Sequence, residues 1–425
     1  MMSIASYVTH SSMLSVASDF IFFYPLAMTH VWLVGALFFY FKWERKQAAL
    51  PQLAAYPPIS ILLPCHNEGE NVCETIGALL RQNYPAFEII AINDGSTDNT
   101  GALLDELSRQ NLIPHPVRVV HLAANQGKAM SLCAGALLSS NEFLVCIDGD
   151  ALLDEQACLW MMSHFRADHV GAVTGNPRIR NRSTLLGKIQ VGEFSSIVGI
   201  IKRAQRIYGR LFSVSGVVVA FRKRALWEVD FWTPDMITED VDITWKLQRA
   251  GWEIRFEPHA KCWILMPETV AGLWKQRLRW AQGGSEVFLR NAGIFLHWKQ
   301  RHMWLVFFEL GTSLLWVYTT ALVMLVSAVM LLSGHGGALP SSHFVSAGNT
   351  FFILILSSLV QFAIGLFLDS RYERQLWKTY LWIIWYPFVY WIMIACATFV
   401  GFPKALFKKR GQRALWTSPD RGFKP

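Results

Sequence analysis

The residues best suited to chemistry are Asp148 and Asp150, two carboxylates separated by one glycine at the end of the apolar run Leu144-Val145-Cys146-Ile147. Side chains at i and i+2 of an extended backbone share a face, and Gly149 lets the chain turn so that both acids converge on one hard cation. The same pattern suits an ordinary strand-end turn, because Asp and Gly are turn formers. A second acidic group, Thr238-Glu239-Asp240, either caps the helix that follows or supplies Asp240 as a general base for a sugar hydroxyl. A third, Gln276-x-x-Arg279-Trp280, falls at i, i+3 and i+4 on one helical face. There the indole offers a flat surface for a sugar ring while Gln276 and Arg279 donate to phosphate or hydroxyl oxygens. An amphipathic helix with Arg and Trp anchors in a headgroup layer reads the same way. Asp94, in Asn93-Asp94-Gly95-Ser96, suits a base edge or ribose as well as an acidic turn before a helix. Lys128, after Asn125-Gln126-Gly127, suits a nucleotide contact or a solvated surface equally.

These groups need elements to carry them. After Tyr56-Pro57-Pro58 the chain alternates strand and helix patterns. Strands are predicted over 59–63, 87–92, 117–122, 143–148 and 170–174, with helices over 70–82, 97–109, 126–138 and 154–165. Such alternation predicts an α/β fold with a mostly parallel, Rossmann-like sheet and helices on both faces. Ligands then bind at the carboxyl ends of the strands, where Asp94, Asp148 and Asp150 fall. Neither a G-x-G-x-x-G nor a G-x-x-x-x-G-K-[ST] pattern follows a strand, which disfavours dinucleotide and P-loop chemistry.

The 425 residues are 52% hydrophobic and include 18 tryptophans, enough for a full α/β domain and several membrane spans. Residues 20–41 carry no charge and as a helix would extend about 33 Å, sufficient to cross a bilayer core. Lys42, Arg45 and Lys46 follow, which places the α/β part in the cytosol. Residues 268–302 are basic and tryptophan-rich and suit the headgroup layer. Apolar stretches follow over 304–333, 349–368 and 379–402. Four spans would leave the C-terminus outside, against the basic residues Lys404, Lys408, Lys409, Arg410 and Arg413. One stretch is therefore expected not to cross, either 304–333, with Glu309 near its start, or 379–402, broken at Tyr386-Pro387. Seven cysteines without a C-x-x-C pair read as reduced core thiols. The net charge of +8 sits beside the apolar stretches and in the tail, so anionic lipid and a sugar nucleotide are the expected partners and nucleic acid is not.

Asp94, Asp148-Gly149-Asp150, Thr238-Glu239-Asp240 and Gln276-Arg277-Leu278-Arg279-Trp280, in that order between apolar segments, resemble the motifs of processive family 2 glycosyltransferases, which include cellulose, chitin and hyaluronan synthases. Within that family, Asn176-Pro177-Arg178-Ile179-Arg180, Gly187-Lys188-Ile189-Gln190-Val191-Gly192-Glu193, Trp263-Ile264-Leu265-Met266-Pro267-Glu268-Thr269 and Trp416-Thr417-Ser418-Pro419-Asp420-Arg421-Gly422 resemble the bacterial poly-β-1,6-N-acetyl-D-glucosamine synthases. The resemblance implies a GT-A domain between transmembrane helices and inverting transfer of N-acetylglucosamine from UDP-GlcNAc to a growing polysaccharide acceptor. It assigns Mg²⁺ or Mn²⁺ to Asp148 and Asp150, the general base to Asp240, and the acceptor terminus to Glu239 and Trp280. It assigns the nucleotide sugar to Asp94, Lys128, Asp148, Gln276, Arg279 and Trp280. It also implies a multi-pass protein of the bacterial inner membrane with a cytosolic catalytic domain, activated through cyclic-di-GMP and a small membrane accessory subunit. The expected division is a membrane anchor over 1–50, a catalytic domain over 56–267, interfacial helices over 268–302, a transmembrane bundle over 303–403 and a cytosolic tail over 404–425. The alternatives are a chitin, hyaluronan or cellulose synthase of the same fold, and a transporter with a regulatory nucleotide-binding domain. Few ionisable groups lie within the apolar stretches, which weighs against transport.

Overall fold

In the computed structural model, residues 12–46, 49–110, 115–333, 347–384, 386–409 and 411–415 are described. A long apolar helix, α1 (Ser12–Lys42), leads to the alternating region. There β1 (Ile59–Cys65), α2 (Val72–Leu80), β2 (Phe87–Asp94), α3 (Thr100–Arg109), β3 (Val117–Leu122), α4 (Lys128–Leu138) and β4 (Phe143–Ile147) follow in turn. Every residue of β1 and β2 is buried, as expected for strands covered on both faces. The two-residue period of a strand divides their side chains between two cores. Ile59, Ile61 and Leu63 pack with Val72 and Ile76 of α2, whereas Leu62 packs with Ala129 and Leu132 of α4.

The second half of the domain is less regular. It contains β5 (Leu152–Leu153), α5 (Ala157–Ser163), β6 (Val170–Ile179), α6 (Leu185–Glu193), α7 (Ile200–Tyr208), β7 (Val218–Arg222), α8 (Lys223–Glu228), α9 (Glu239–Arg249) and β8 (Glu253–Ile264). The eight strands form one sheet in the order β3-β2-β1-β4-β7-β6-β8-β5. The β3-β2-β1-β4 half is parallel, as its alternation predicts, but β7 joins β4 antiparallel and makes the sheet mixed. Register brings the acids to one edge. Asn93 lies opposite Cys65 and Cys146 opposite Leu62, so Asp94 and Asp148 emerge close together along the strand ends.

The remaining helices are α10 (Val270–Arg290), α11 (Trp304–Leu332), α12 (Ala347–Asp369), α13 (Tyr380–Ile383) and α14 (Tyr386–Leu406). Among the described residues, three segments are long and apolar enough to cross a membrane: Met13–Lys46, Trp298–Leu332 and Phe351–Asp369. The apolar part of α14 is shorter, Trp391–Leu406, and α14 packs along α10. Glu309 does not interrupt α11. Its two oxygens accept from Trp32 Nε1 and Gln205 Nε2, each at 3.0 Å, so it ties α11 to α1 and α7.

A buried ion network joins the sheet to these helices. Arg203 on α7 donates to both oxygens of Glu44 and to Asp369 Oδ1, each at 2.8 Å. Arg178 on β6 pairs with Asp369 Oδ2 and with Glu373. Tyr372 Oη donates to Glu44, and Arg182 also pairs with Glu373.

Candidate active site

The carboxyl ends of the strands open into a cavity of about 870 Å³. Asp148, Asp150, Lys128, Glu239, Asp240, Gln276, Arg279 and Trp280 all line it. Lys128 is the first residue of α4, and its ammonium reaches Asp148 Oδ1 at 2.5 Å, Glu239 Oε1 at 3.3 Å and the Gly216 carbonyl at 3.1 Å. It thus holds two of the predicted acid groups together rather than lying on a solvated surface. Burial lowers its pKa, but Asp148 and Glu239 outweigh that and raise it, so Lys128 stays charged. Lys128 thus stands among the carboxylates Asp148, Glu239 and Asp240, and Arg279 and Lys202 also act on Asp240.

Asp240 is the acid whose proton affinity changes most usefully. Burial and the neighbouring Glu239 push its pKa up to about 6, with Lys128 opposing. A carboxylate poised there is still ionised at neutral pH yet is a stronger base than a surface aspartate. Thr238 does not cap α9 through its side chain, and its Oγ1 is buried without a hydrogen-bond partner. Asp240 Oδ1 does accept from the Val241 amide at 2.9 Å in the first turn of α9, so the motif caps the helix through its acid as well as lining the cavity.

Gln276, Arg279 and Trp280 share one face of α10, with Arg279 exposed and the other two partly buried. Gln276 Oε1 is buried with no hydrogen-bond partner, and its Nε2 meets only the Met266 sulfur at 3.8 Å. Buried polar atoms left unpaired this way commonly await a ligand.

Asp94 is placed differently from the others. It is fully buried, and its two oxygens accept from the Gln126 and Gly127 amides at 2.7 and 2.9 Å. It does not line the cavity. Its work is to shape the loop that starts α4 and so to aim Lys128.

Several residues of the site carry no signal in isolation. Arg277 sits inside the third motif and lines the cavity, but it is held in a buried pair with Glu193 at 2.8 Å and lies 4.3 Å from the Trp280 ring centroid. Gly283 allows α10 to press on Thr238, since a Cβ there would lie 2.3 Å from the threonine side chain. Gly216 admits Asp240 in the same manner, at 3.2 Å. A glycine pair in the middle of a helix, Gly283-Gly284, is the one cue the sequence offered. The six-residue π-helical turn Phe194–Gly199 between α6 and α7 is a second feature of the cavity wall, and such turns often mark functional sites.

Asp148 and Asp150 suit a divalent cation by donor chemistry, as two hard oxygen ligands on the cavity wall with Glu239 and Asp240 beside them. No group of three or more His, Cys, Asp or Glu side chains among the described residues is arranged as a metal cage. Two carboxylates completed by phosphate oxygens is the arrangement that Mg²⁺-type ions favour.

The basic tail crosses the cavity mouth. Lys408 reaches Glu286 at 2.9 Å, the Gly411 and Ala414 amides bond Asp235 and Pro234, and Arg413 bonds Gln126. Trp416 to Gly422, which contribute to the sequence resemblance, lie outside the described residues.

A glycosyltransferase-like family 2 domain matches residues 57–283. The chain belongs to glycosyltransferase family 2. This glycosyltransferase is 40% identical over 413 residues to the poly-β-1,6-N-acetyl-D-glucosamine synthase of Staphylococcus epidermidis, covering 95% of this chain and 98% of that one. It is 40% identical over 409 residues to the synthase of the same name from Staphylococcus aureus strain COL, with the same coverage of 95% and 98%. Its fold is that of the Pyrobaculum calidifontis mannosyltransferase solved with GDP-Man and Mn²⁺ (TM-score 0.61, 17% identity, 91% of this chain and 99% of that chain). The GT-A fold expected from the motifs is therefore the fold of this glycosyltransferase.

Proposed function

We propose that this glycosyltransferase moves N-acetylglucosamine from UDP-GlcNAc to the non-reducing end of a growing poly-β-1,6-linked chain, with inversion. The observation that carries the reading is the meeting of the three acid and aromatic motifs on one cavity, where burial and Glu239 raise the proton affinity of Asp240. The name shared by relatives matching nearly the full length supports the choice of sugar and linkage.

In this reading the donor diphosphate lies against Asp148 and Asp150, with Arg279 donating to its oxygens from the cavity mouth. Mg²⁺ or Mn²⁺ held by Asp148 and Asp150 would neutralise charge on the departing diphosphate. Lys128 keeps Asp148 and Glu239 together and limits the repulsion around Asp240. Asp240 takes the proton from the acceptor 6-hydroxyl as that oxygen attacks C1. Trp280 gives the acceptor ring a flat apolar face, and Arg277, locked to Glu193, holds the indole in place.

The same proposal has α1, α11 and α12 crossing a bacterial inner membrane and α14 lying along α10 at its cytosolic surface. Contact of residues 408–415 with the catalytic domain supports a C-terminus on the cytosolic side. Control through a small membrane accessory subunit and cyclic-di-GMP belongs to this proposal through the sequence resemblance alone.

The test is to incubate the full chain in vesicles with radiolabelled UDP-GlcNAc and digest the product. Release of label by a β-1,6-N-acetylglucosaminidase, with resistance to chitinase and hyaluronidase, is the expected result. Chitinase-sensitive product would transfer the enzyme to the chitin synthases of the same fold.

A further inference from the structure

Lys202 has no part in the chemistry described so far, yet it lines the same cavity. It lies on α7, is only 8% exposed, and its neighbour Arg203 faces the other way, onto Glu44 and Asp369. Lys202 has no such partners. Its ammonium reaches Thr174 Oγ1 at 3.4 Å, and that oxygen already accepts from the Ser215 amide at 2.8 Å. No carboxylate among the described residues lies within ion-pairing distance of it, and the Phe256 ring is 5.8 Å away. An ammonium has three donors and no acceptor, so a buried one with a single long hydrogen bond has spare donors and a strong demand for oxygen.

Its position says which oxygens. Thr174 accepts from the Ser215 amide, and the next residue, Gly216, closes on Asp240. Asp240 is the carboxylate whose charge acts on Lys202, whereas Lys128 is held against Asp148 and Glu239. Around Lys202 the wall is apolar, made by Phe194, Ile197 and Ile201 of the helical run that packs on α12. This is the part of the cavity that leads from the base toward the membrane helices.

We infer that Lys202 belongs to the acceptor subsite, where it donates to hydroxyl and acetamido oxygens near the chain terminus and selects N-acetylated over free-amine sugars. The inference rests on the substrate reading above and adds a specificity determinant to it. An acetamido group presents a neutral carbonyl oxygen to the ammonium. A free amine, protonated near neutral pH, presents a like charge inside a poorly hydrated wall. Burial pulls the pKa of Lys202 down to about 8, with the Asp240 charge opposing the fall, so the group remains mostly charged at pH 7. The product consequence is that the enzyme extends acetylated ends, and any reaction class that removes acetyl groups has to act on chain already clear of this site.

The experiment compares primers of β-1,6-linked sugars ending in N-acetylglucosamine or in glucosamine, extended at pH 7 by the full chain in vesicles. The wild type is expected to favour the acetylated primer by about tenfold or more in kcat/KM. In K202M that ratio falls toward one and the acceptor KM rises while the donor KM stays. K202R, which keeps the charge, retains the preference. Methionine is close in size and removes a buried charge, so the variant is expected to fold. An unchanged primer ratio in K202M, or a rise in donor KM alone, overturns the assignment of Lys202. Failure of the wild type to transfer from UDP-GlcNAc to either primer overturns the substrate reading, and the Lys202 inference with it.

Discussion

Two regions of this protein gather charge out of water, and they do so on opposite terms. In the joint to the membrane helices, Arg178 and Arg203 face Glu44, Asp369 and Glu373 at hydrogen-bonding distances, with Tyr372 and Arg182 completing the set. In the cavity, Lys128 meets Asp148 and Glu239 beside Asp150 and Asp240, while Gln276 Oε1 and Thr238 Oγ1 stay unpaired. A network whose charges balance, three arginines against three carboxylates, holds elements together and has no carboxylate left to offer a substrate. Carboxylates that outnumber the cation they touch are completed by what binds there. The contrast separates structural from chemical charge more reliably than either burial or residue type, because both regions hold the same kinds of side chain.

The comparison can be broken from the chemical side first. If the missing positive charge is a divalent cation with its diphosphate, Asp150→Ala should abolish polymer synthesis and leave UDP binding indifferent to Mn²⁺ or chelator. Calorimetric titration of UDP with and without metal checks this. Wild-type affinity that still depends on the divalent ion would remove Asp150 from the metal site.

Asp240→Asn keeps the shape of the side chain and removes its basicity, so turnover should fall by about two to four orders of magnitude with donor affinity preserved. The wild-type rate should also carry a pH signature. Because burial and Glu239 raise the Asp240 pKa to about 6, the base form is depleted below that pH and saturates above it. The logarithm of kcat should then rise with pH up to about 6 and level off. A rate that is flat from pH 5 to pH 7, the interval about one unit either side of that value, assigns the proton to another group.

On the structural side, Arg203→Ala strands Glu44 and Asp369 in the interior and should cost about 3–5 kcal/mol of stability. Thermal unfolding in detergent reads the loss. Replacing Arg178, Arg203, Glu44 and Asp369 together by apolar residues of similar volume removes two charges of each sign and should recover most of it, since such swaps are often neutral. If the single change leaves stability intact, the joint is not a structural ion network.

The smallest effect is expected at Trp280, where Phe retains an aromatic face. Trp280→Phe should lose about 0.5–1.5 kcal/mol of acceptor binding, whereas Ala should cut elongation severely at unchanged membrane insertion. Polymer formed per unit of inserted protein separates the two. Equal activity of Ala, Phe and wild type would make Trp280 an anchor only.

Much of the fold was legible in the chain. The parallel half of the sheet follows from strands buried on both faces alternating with amphipathic helices, and predicted bounds differ from the observed ones at helix starts, as for α2 and α3, and at strand ends, most at β6, which is predicted over 170–174 and continues to Ile179. The antiparallel β7 and the parallel pairing of β6 with β8 were not legible, because strand partners are chosen by register across long loops rather than by local pattern. The cavity acids were legible for a physical reason: strand ends deliver side chains to one sheet edge whatever the rest of the fold does. Arg277 and Arg279 show where that stops. Two residues apart on one helix, one locks onto Glu193 and the other stays at the cavity mouth, and only the packing of α10 distinguishes them.

By itself, then, the order of apolar and acidic residues determined an α/β domain with carboxylates at its strand ends, set between membrane-length apolar helices. The tertiary structure alone decided what each charge does. Lys128 binds Asp148 and Glu239, Asp94 shapes a loop instead of facing the cavity, and Lys202 is left without a carboxylate partner while Arg203 beside it is bound to Glu44 and Asp369. The reason is that the sign of a side chain is written in its type, but its free energy depends on which partners, distant along the chain, are brought within a few ångströms.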